Sequence, residues 1–536
     1  MSESTAAPQP ERPLADLVRR LADEGRLRGA RDEGRAIGAA GLRPVAIRAV
    51  HHDSRRIGPG DLFVAIPGAR ADGHDHAAAA VAAGAGAIIV ERPVPGVDVP
   101  QLVVGEARAA LASAAAWSEG DPSRELTVVG ITGTDGKTTT SYLAVSALEA
   151  AGRRVGLLGT IATRIGGTSA DHAEHATTPE APELQAALRA MVTAGDDSAV
   201  IETTSHGLAL ERVGSVAYDV AILTNLTHEH LDLHGTFEAY RAAKLRLFER
   251  LGQRRPKRLP AGVEPPGPTA IVNIDDPSAG YFIGAARDVR ARVLTYGLDP
   301  AADLRVTAVA EDRTGLRMEV DGVAGRATVR LRLTGRFNAL NAAAALALGE
   351  VLGLDRERVR AGLESLERVP GRMERIDAGQ PFEVVIDFAH SPASLATVLD
   401  LLAPAAAARG GGVIAVFGSA GERDTAKRPR MGRIAGERCR LVVLTDEDPR
   451  GEDRTAILDE IAAGAEAVGR RRGSDLRLIP DREEAIAAAF EAARPGDVVL
   501  LAGKGHERSI AGPEGDRPWD ERRAALDALA RMGYRA

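Results

Sequence analysis

Lysine is scarce in this chain, and its scarcity makes each lysine informative. Of 68 Lys plus Arg residues, only five are lysine: Lys137, Lys244, Lys257, Lys427 and Lys504. Arginine serves wherever any cation will do, so a lysine points to a need for a compact ammonium or a reactive amine. Lys257 lies in the Pro/Arg-rich stretch from Arg254 to Pro268 and reads as incidental. The other four stand in motif-like surroundings. Lys137 belongs to the run Gly133-Thr134-Asp135-Gly136-Lys137-Thr138, which follows the β-branched Thr127-Val128-Val129 and leads into Thr139 and Thr140. A strand that ends in a glycine-rich turn and opens a helix gathers backbone N–H groups and the positive end of the helix dipole at one point, and Lys137 adds a full charge. Such a turn binds phosphate, and the Thr138 hydroxyl is placed to reach the accompanying magnesium ion. Ile131 stands where the longer eight-residue phosphate loop has its first glycine, so only the shorter form is present. An ordinary glycine-rich turn is the plain alternative, but it gives no reason for both glycines, the lysine and the threonine to coincide after a strand. The run points to a nucleoside triphosphate.

Two further strand ends carry chemistry. Ser198 to Ile201 delivers Glu202, followed by Thr203-Thr204-Ser205-His206-Gly207. Ala221 to Leu223 delivers Thr224-Asn225, then His228, Glu229, His230, Asp232 and His234. Ligands of open α/β sheets sit at the carboxyl ends of strands, where Glu202 can hold magnesium directly or through water. The histidine-rich stretch is open between a solvated loop, a helix cap and a metal site, and it lacks the thiolates common in zinc centres. Lys244 falls on or beside the apolar stripe of an amphipathic helix from Phe237 to Phe248, where a snorkelling lysine is the plain reading. The last third of the chain repeats one pattern five times, a short apolar strand and then a polar or glycine-rich loop. Four of these loops together carry His390, Arg423, Lys427, Asp448, Arg450, Lys504, His506 and Glu507, more chemistry than solvated connections need.

The elements that must position these groups are α/β throughout. At 536 residues the chain exceeds a single core, and three domains are expected, over 1–123, 124–369 and 370–536. The first reads as a small α/β domain, with strands at Val45–Val50 and Leu62–Ile66 and an alanine-rich helix from about His76. Asp121-Pro122 reads as a linker to a central phosphate-loop domain with a mostly parallel sheet, which ends in alternating strands between Val306 and Leu333. The third, with its five strand–loop repeats, reads as a doubly wound, Rossmann-like sheet. Net charge of −7, with no basic stripe interleaved with aromatics, weighs against a nucleic-acid partner. The single cysteine, Cys439, excludes an internal disulfide and fits a reducing cytoplasm. The N-terminus lacks a basic-then-apolar signal, and the most apolar window, Ala77 to Val90, is too short to span a bilayer. A cytoplasmic location is expected.

Several of these stretches resemble the Mur ligases and, within that family, the muramyl-tripeptide synthetases. The likeness covers nearly the whole chain and all three expected domains. Gly133 to Thr139 resembles the family's ATP loop, with Asp135 where asparagine is usual. Leu223 to Gly235, followed by Tyr240 to Phe248, is similar to the stretch that contains the magnesium-site histidine and the carbamylated lysine, here His230 and Lys244. Gly335 to Asn341, Asp387 to Leu395 and Gly418 to Pro429 resemble ATP-domain signatures, and Asp53 to Asp75 resembles the UDP-sugar-binding domain. Thr445 to Asp453 and Gly503 to Glu507 resemble the two segments that hold an incoming diamino acid.

The resemblance implies an ATP-dependent amide ligase of peptidoglycan precursor synthesis. It would join a diamino acid to the D-glutamate carboxylate of UDP-N-acetylmuramoyl-L-alanyl-D-glutamate, with ATP as co-substrate, Mg2+ as cofactor and only small-molecule partners. It implies catalytic roles for Lys137, Glu202, His230 and Lys244, and metal ligands in Thr138, Glu202, His230 and a Lys244 carbamate. ATP would be held by Gly133, Thr134, Asp135, Gly136, Lys137, Thr138, Thr139, Asn338, Asp387 and His390. The UDP-muramoyl substrate would be held by Ser54, Ala69, Arg70, Ala71, Thr177, Thr178, Thr204 and Arg212. The amino acid would be held by Arg423, Glu447, Asp448, Pro449, Arg450, Gly503 and Glu507. That last pocket sends two signals. Ligases that add meso-diaminopimelate usually carry Asp-Asn-Pro-Arg where this chain has Glu447-Asp448-Pro449-Arg450. Arg450 can grip a distal carboxylate bidentately, which suits diaminopimelate. Asp448 puts a charge in place of an amide, which suits the bare ammonium of ornithine or lysine. Diaminopimelate is the preferred reading; ornithine, lysine or another Mur-type ligase are the alternatives. A phosphate-loop NTPase acting as a switch is the reading from another class, and it leaves the third domain's loop cluster without a use.

Overall fold

A computed structural model of the chain describes residues 11–38, 41–68, 71–171, 177–227, 234–253, 256–312 and 315–535. These pack as two compact units. The first extends to Val309 and includes Met318–Val329 and Ala339–Ser365; the second comprises Ala310–Arg317, Arg330–Asn338 and the chain from Leu366 onward. The first unit contains two large α/β sheets and the second a third, which gives the three-domain α/β fold expected from the sequence.

The N-terminal sheet orders its six strands as Arg35–Ile37, Leu27–Asp32, Gln101–Val104, Ala87–Val90, Leu62–Val64 and Val50–His51. The single strand expected over Val45–Val50 is two. Ala46–Ile47 pairs with Arg12–Pro13, and Val50–His51 joins the main sheet beside Leu62–Val64. The chain changes partner at Arg48, whose N–H donates to Gly60 O at 3.0 Å. The helix Leu14–Asp23, which the sequence reading did not anticipate, buries Leu14, Leu17, Val18 and Leu21 against this sheet's core. Their three- and four-residue spacing is the signature of one helix face.

In the central sheet, Thr127–Thr132 lies between Ser198–Glu202 and Val220–Leu223, all parallel. Val155–Leu158 extends one side; Thr269–Asn273 and Arg292–Gly297 extend the other. The three middle strands are buried along their whole length, as expected for parallel strands covered by helices on both faces. Because they run the same way, Thr132, Glu202 and Leu223 bring their following loops to one edge. The alternating stretch forms the strands Leu304–Asp312, Gly315–Gly322 and Gly325–Leu331.

The second unit's main sheet runs Glu374–Ile376, Glu383–Asp387, Val498–Ala502, Val413–Phe417, Leu441–Leu444 and Leu476–Leu478. All but the first are parallel. Separate apolar clusters, one around Leu399, Phe417 and Ile461 and one around Ile486, Phe490 and Leu529, make it doubly wound. The hairpin Ser509–Gly512 with Gly515–Pro518 was not anticipated.

Lys257 is not incidental. Its Nζ lies 2.5 Å from Asp219 Oδ2 and donates to the carbonyls of Ser123, Leu126 and Ala217 at 2.8–2.9 Å. Asp219 Oδ2 also accepts the Val128 N–H at 2.7 Å. The pair therefore fastens the connection at Ser123 to the start of the central strand. Burial pushes the lysine's pKa down and the aspartate's up, each against the attraction of the other. Lys257→Met strands a buried carboxylate and should cost about 3–5 kcal/mol of stability. A lowered urea midpoint, largely restored by adding Asp219→Asn, is the expected result.

Candidate functional site

The turn after Thr127–Thr132 is shaped by what crowds it. Gly133 has φ +152°, and a Cβ there would come within 1.9 Å of Thr224 Oγ1. Gly136 has φ +80°, and its Cβ would meet Asn341 Oδ1 at 2.5 Å. Both positions exclude a side chain. The loop after Val220–Leu223 then holds the turn by its peptides: Asn225 O accepts the Thr134 N–H at 2.8 Å, Asn225 Oδ1 accepts the Asp135 N–H at 3.0 Å, and Thr224 Oγ1 donates to Asp135 O at 2.6 Å. The helix Lys137–Ala150 starts here, and Gly136 offers no side chain to cap it. Its first N–H groups and dipole suit an anion.

Lys137 Nζ donates to Gly133 O at 2.9 Å and Thr134 O at 2.7 Å. Lys244, from the helix Phe237–Glu249, donates to the same Gly133 O at 2.7 Å. Lys244 is 1% exposed and its ammonium sits 4.6 Å from the Tyr240 ring centroid, so it does not snorkel to solvent. Two of the five lysines thus meet at one carbonyl of the phosphate loop. Thr138 and Thr139 are buried in the first helical turn.

Glu202 closes the site from the adjacent strand end. It is fully buried; Oε1 accepts the Thr160 N–H at 3.1 Å, and Oε2 accepts the hydroxyls of Thr138 at 3.0 Å and Thr160 at 2.8 Å. Among the described residues no cationic side chain is paired with it. A buried carboxylate of this kind costs several kcal/mol until a positive charge arrives. Carboxylate and hydroxyl oxygens are the donors that suit Mg2+. The described residues contain no group of three His, Cys, Asp or Glu side chains able to hold a metal, and His230, with His228, Glu229 and Asp232, lies outside them.

The residues expected at the UDP-muramoyl substrate divide. Four gather around Glu202: Thr177 Oγ1 lies 3.1 Å from Thr160 Oγ1, Thr178 Oγ1 donates to Glu202 O at 2.9 Å and lies 3.0 Å from Thr204 Oγ1, and Arg212 Nη1 donates to Thr178 O at 2.9 Å. Ser54 opens a short turn, Ser54–Arg56, whose Arg56 pairs with Glu183 of the helix Ala181–Thr193. Ala71 is exposed, and Ala69 and Arg70 lie outside the described residues. Thr160 was missed, although it follows the strand Val155–Leu158 and the strand-end rule that found Glu202 also covers it.

In the second unit, loops after four parallel strands pack together. Gly421 N–H donates to Asp448 O at 2.8 Å, which brings the loop of Arg423 onto that of Arg450, and Gly503 N–H donates to Asp387 O at 3.2 Å. Pro449 is buried, while Arg423 is exposed. Asp387 spends its carboxylate on the Met373 and Ala389 N–H groups, both at 2.9 Å. His390 Nδ1 lies 2.9 Å from Phe388 O, and Lys427 donates to His390 O at 2.8 Å. Asn338 donates to Thr334 O at 2.6 Å. Beneath the loops, Arg482 and Glu521 form an ion pair with both side chains fully buried. Arg482 also donates to Asp446 O at 2.9 Å and Ala502 O at 2.8 Å, tying two of the loops to one guanidinium. Neither residue was singled out from sequence, where Arg482 is one arginine among many.

The same loops hold buried polar atoms with no protein partner: Glu447 Oε2, Arg450 Nε and His506 Nδ1. Atoms left this way are open to partners from a bound ligand. Burial, reinforced by Arg372 and Lys504, pushes the His506 pKa down to about 3, so it is neutral at physiological pH. Burial raises the Glu507 pKa against the pull of Lys504.

Known proteins match this arrangement along the chain. Residues 46–118 match the Mur ligase family catalytic domain, 131–349 the Mur ligase middle domain, and 371–505 the Mur ligase glutamate ligase domain. A UDP-N-acetylmuramyl-tripeptide synthetase of Roseiflexus sp. (strain RS-1) is 50% identical over 91% of this chain and 95% of its own length. A UDP-N-acetylmuramoyl-L-alanyl-D-glutamate–2,6-diaminopimelate ligase of Geobacter metallireducens is 41% identical over 88% of this chain and 91% of its own. A solved structure of a ligase of that second name superposes with a TM-score of 0.63 and 29% identity, covering 91% of this chain and 96% of the other. Glu202→Gln should remove the charge that calls for a cation at nearly the same shape, its amide oxygen accepting the Thr160 N–H and its NH2 donating to the rotated Thr138 and Thr160 hydroxyls. Calorimetry with ATP should show the magnesium-dependent part of binding falling by about tenfold or more, with metal-free binding little changed.

Proposed function

The chain belongs to the Mur ligase family, and from that premise we propose that it is an ATP-dependent, ADP-forming amide ligase of peptidoglycan precursor synthesis. Its acceptor is the D-glutamate carboxylate of UDP-N-acetylmuramoyl-L-alanyl-D-glutamate, and its nucleophile is an amine of meso-2,6-diaminopimelate. The observation that carries the reading is a phosphate loop set beside a fully buried acid at adjacent strand ends, Gly133–Thr138 and Glu202. The relatives' names support the peptide acceptor and the diamino acid.

The chemistry follows from what each group can do. A carboxylate does not condense with an amine directly. One of its oxygens attacks the γ-phosphorus of ATP, the bond to the bridging oxygen breaks, and ADP leaves behind an acyl phosphate. The amine then adds to the acyl carbon; the tetrahedral adduct expels phosphate and loses a proton from nitrogen to give the amide. The first step crowds anionic oxygens together. Lys137, the uncapped N-terminus of the helix Lys137–Ala150 and the loop's peptides stabilise that charge where it develops. Thr138 and Glu202 would hold Mg2+, with His230 and a carbamate on Lys244 joining them in the family's pattern, and the ion would supply further neutralisation of the phosphates. A carbamate forms when a neutral primary amine adds to CO2 and releases a proton; among side chains this is open to lysine alone, which accounts for a lysine buried at this point in an arginine-rich chain. Thr177, Thr178, Thr204 and Arg212 orient the peptide acceptor, and the loops bearing Arg423, Glu447–Arg450 and Gly503–Glu507 receive the diamino acid.

The substrates are soluble small molecules, and no helix among the described residues is long and apolar enough to cross a membrane. With one cysteine, which is buried, the chain suits the cytosol. Purified protein given ATP, magnesium, the UDP-muramoyl dipeptide and each of diaminopimelate, ornithine and lysine should release phosphate only when both acceptors are present. Release independent of them would identify a nucleotide switch instead. Lys244→Ala should reduce turnover by about a thousandfold or more, with partial recovery by added short carboxylates; near-normal turnover would remove the carbamate from the mechanism.

A further inference from the structure

The loop expected to choose the third amino acid carries opposed charges, Asp448 and Arg450, and the structure treats them differently. Asp448 Oδ1 accepts from Lys504 Nζ at 2.8 Å and from the Ala511 N–H at 2.8 Å. Lys504 is 1% exposed, and its Nζ also lies 2.6 Å from Glu507 Oε2. The aspartate's charge is therefore already met from within the protein. Arg450 has no ion-pair partner among the described residues, and its Nε is buried without a hydrogen bond. Its backbone is held in the left-handed region, φ +53°, by its N–H donating to Ala511 O at 2.9 Å. One residue of the hairpin, Ala511, thus fixes both members of the loop, giving its N–H to Asp448 and its carbonyl to Arg450.

Resting on the ligase reading above, we propose that Lys504 is a positioning residue for amino-acid specificity. It neutralises Asp448, so that the aspartate stands in for the neutral amide usual at this position and Arg450 presents the unmatched charge to the distal end of the amino acid. The site then selects a distal carboxylate over a bare distal ammonium. A free carboxylate at Asp448 would select the reverse. Arg450 is suited to its part because a guanidinium meets a carboxylate through two parallel hydrogen bonds. Lys504 is suited to its own because a compact ammonium fits a buried pocket between two carboxylates.

The test compares kcat/KM for diaminopimelate with kcat/KM for ornithine in the full-length protein. Wild type should prefer diaminopimelate. Lys504→Met, which uncovers the Asp448 charge, should lower the diaminopimelate-to-ornithine ratio by about tenfold or more. In an Asp448→Asn background the same change should move the ratio by less than about threefold. Lys504→Arg, which keeps the charge, should return the ratio toward wild type. A purely structural lysine would lower both substrates together and leave the ratio alone, which would overturn the proposal, as would an equal shift in both backgrounds or a wild-type preference for ornithine. Should Lys504→Met fail to fold, Asp448→Asn alone decides: a ratio within about threefold of wild type supports the internal pairing, and a rise of about tenfold shows the aspartate's charge reaching substrate and overturns it. A wild-type chain that joins neither amino acid overturns the ligase reading, and this proposal with it.

Discussion

A carboxylate sealed from water with only hydroxyls and an amide for company is the constraint around which the first unit's site is arranged. Glu202 has no cationic side chain paired with it among the described residues, yet it is fully buried and accepts three hydrogen bonds from Thr138 and Thr160. Such a group is tolerable only where a positive charge is due to arrive. Everything near it serves that arrival. The strand Ser198–Glu202 runs parallel to Thr127–Thr132, so the acid ends level with the phosphate loop. Thr138 belongs both to that loop and to the acid's hydrogen bonds, so an ion drawn to Glu202 is drawn to the phosphates as well.

The second unit solves a different problem, that of holding several loops in one place. A single guanidinium does much of it. Arg482 reaches the carbonyls of Asp446 and Ala502 while its charge is met by Glu521, which also accepts from the Trp519 indole at 2.6 Å. Ion pairs this deeply buried add little net stability over an apolar replacement, since desolvation offsets attraction. Their value lies in direction, because a guanidinium can satisfy backbone carbonyls from two loops at fixed angles where an apolar side chain cannot.

What was legible in the sequence was local or periodic. The phosphate loop is a contiguous run whose glycines answer to specific close approaches, by Thr224 at Gly133 and Asn341 at Gly136. The five repeats of the last third announced a parallel sheet because strand and loop follow one another in the chain. What escaped depends on pairing across long separations. Arg482 and Glu521 are 39 residues apart, and Lys504 lies 56 residues beyond Asp448. Read alone, Asp448 is a free charge that argues for a bare ammonium; in the fold it accepts from Lys504, whose ammonium also meets Glu507. Lys257 was misjudged for the same reason, its partners being scattered from Ser123 to Asp219 around a proline-rich loop that looks solvated.

The economy of lysine has a practical corollary. None of the five is an exposed residue: Lys244 and Lys504 are sealed, Lys257 is clamped, and Lys137 and Lys427 are half-buried with their ammonium groups bonded to carbonyls. Acylating dyes, amine-coupled sensor surfaces and lysine-directed cross-linkers therefore find no exposed ε-amine to settle on, and the ones they do capture sit at the phosphate loop, the second unit's strand-end loops or the clamp at Asp219. For this protein, amine modification works as a footprint of site opening, whereas attachment through introduced thiols keeps those sites intact.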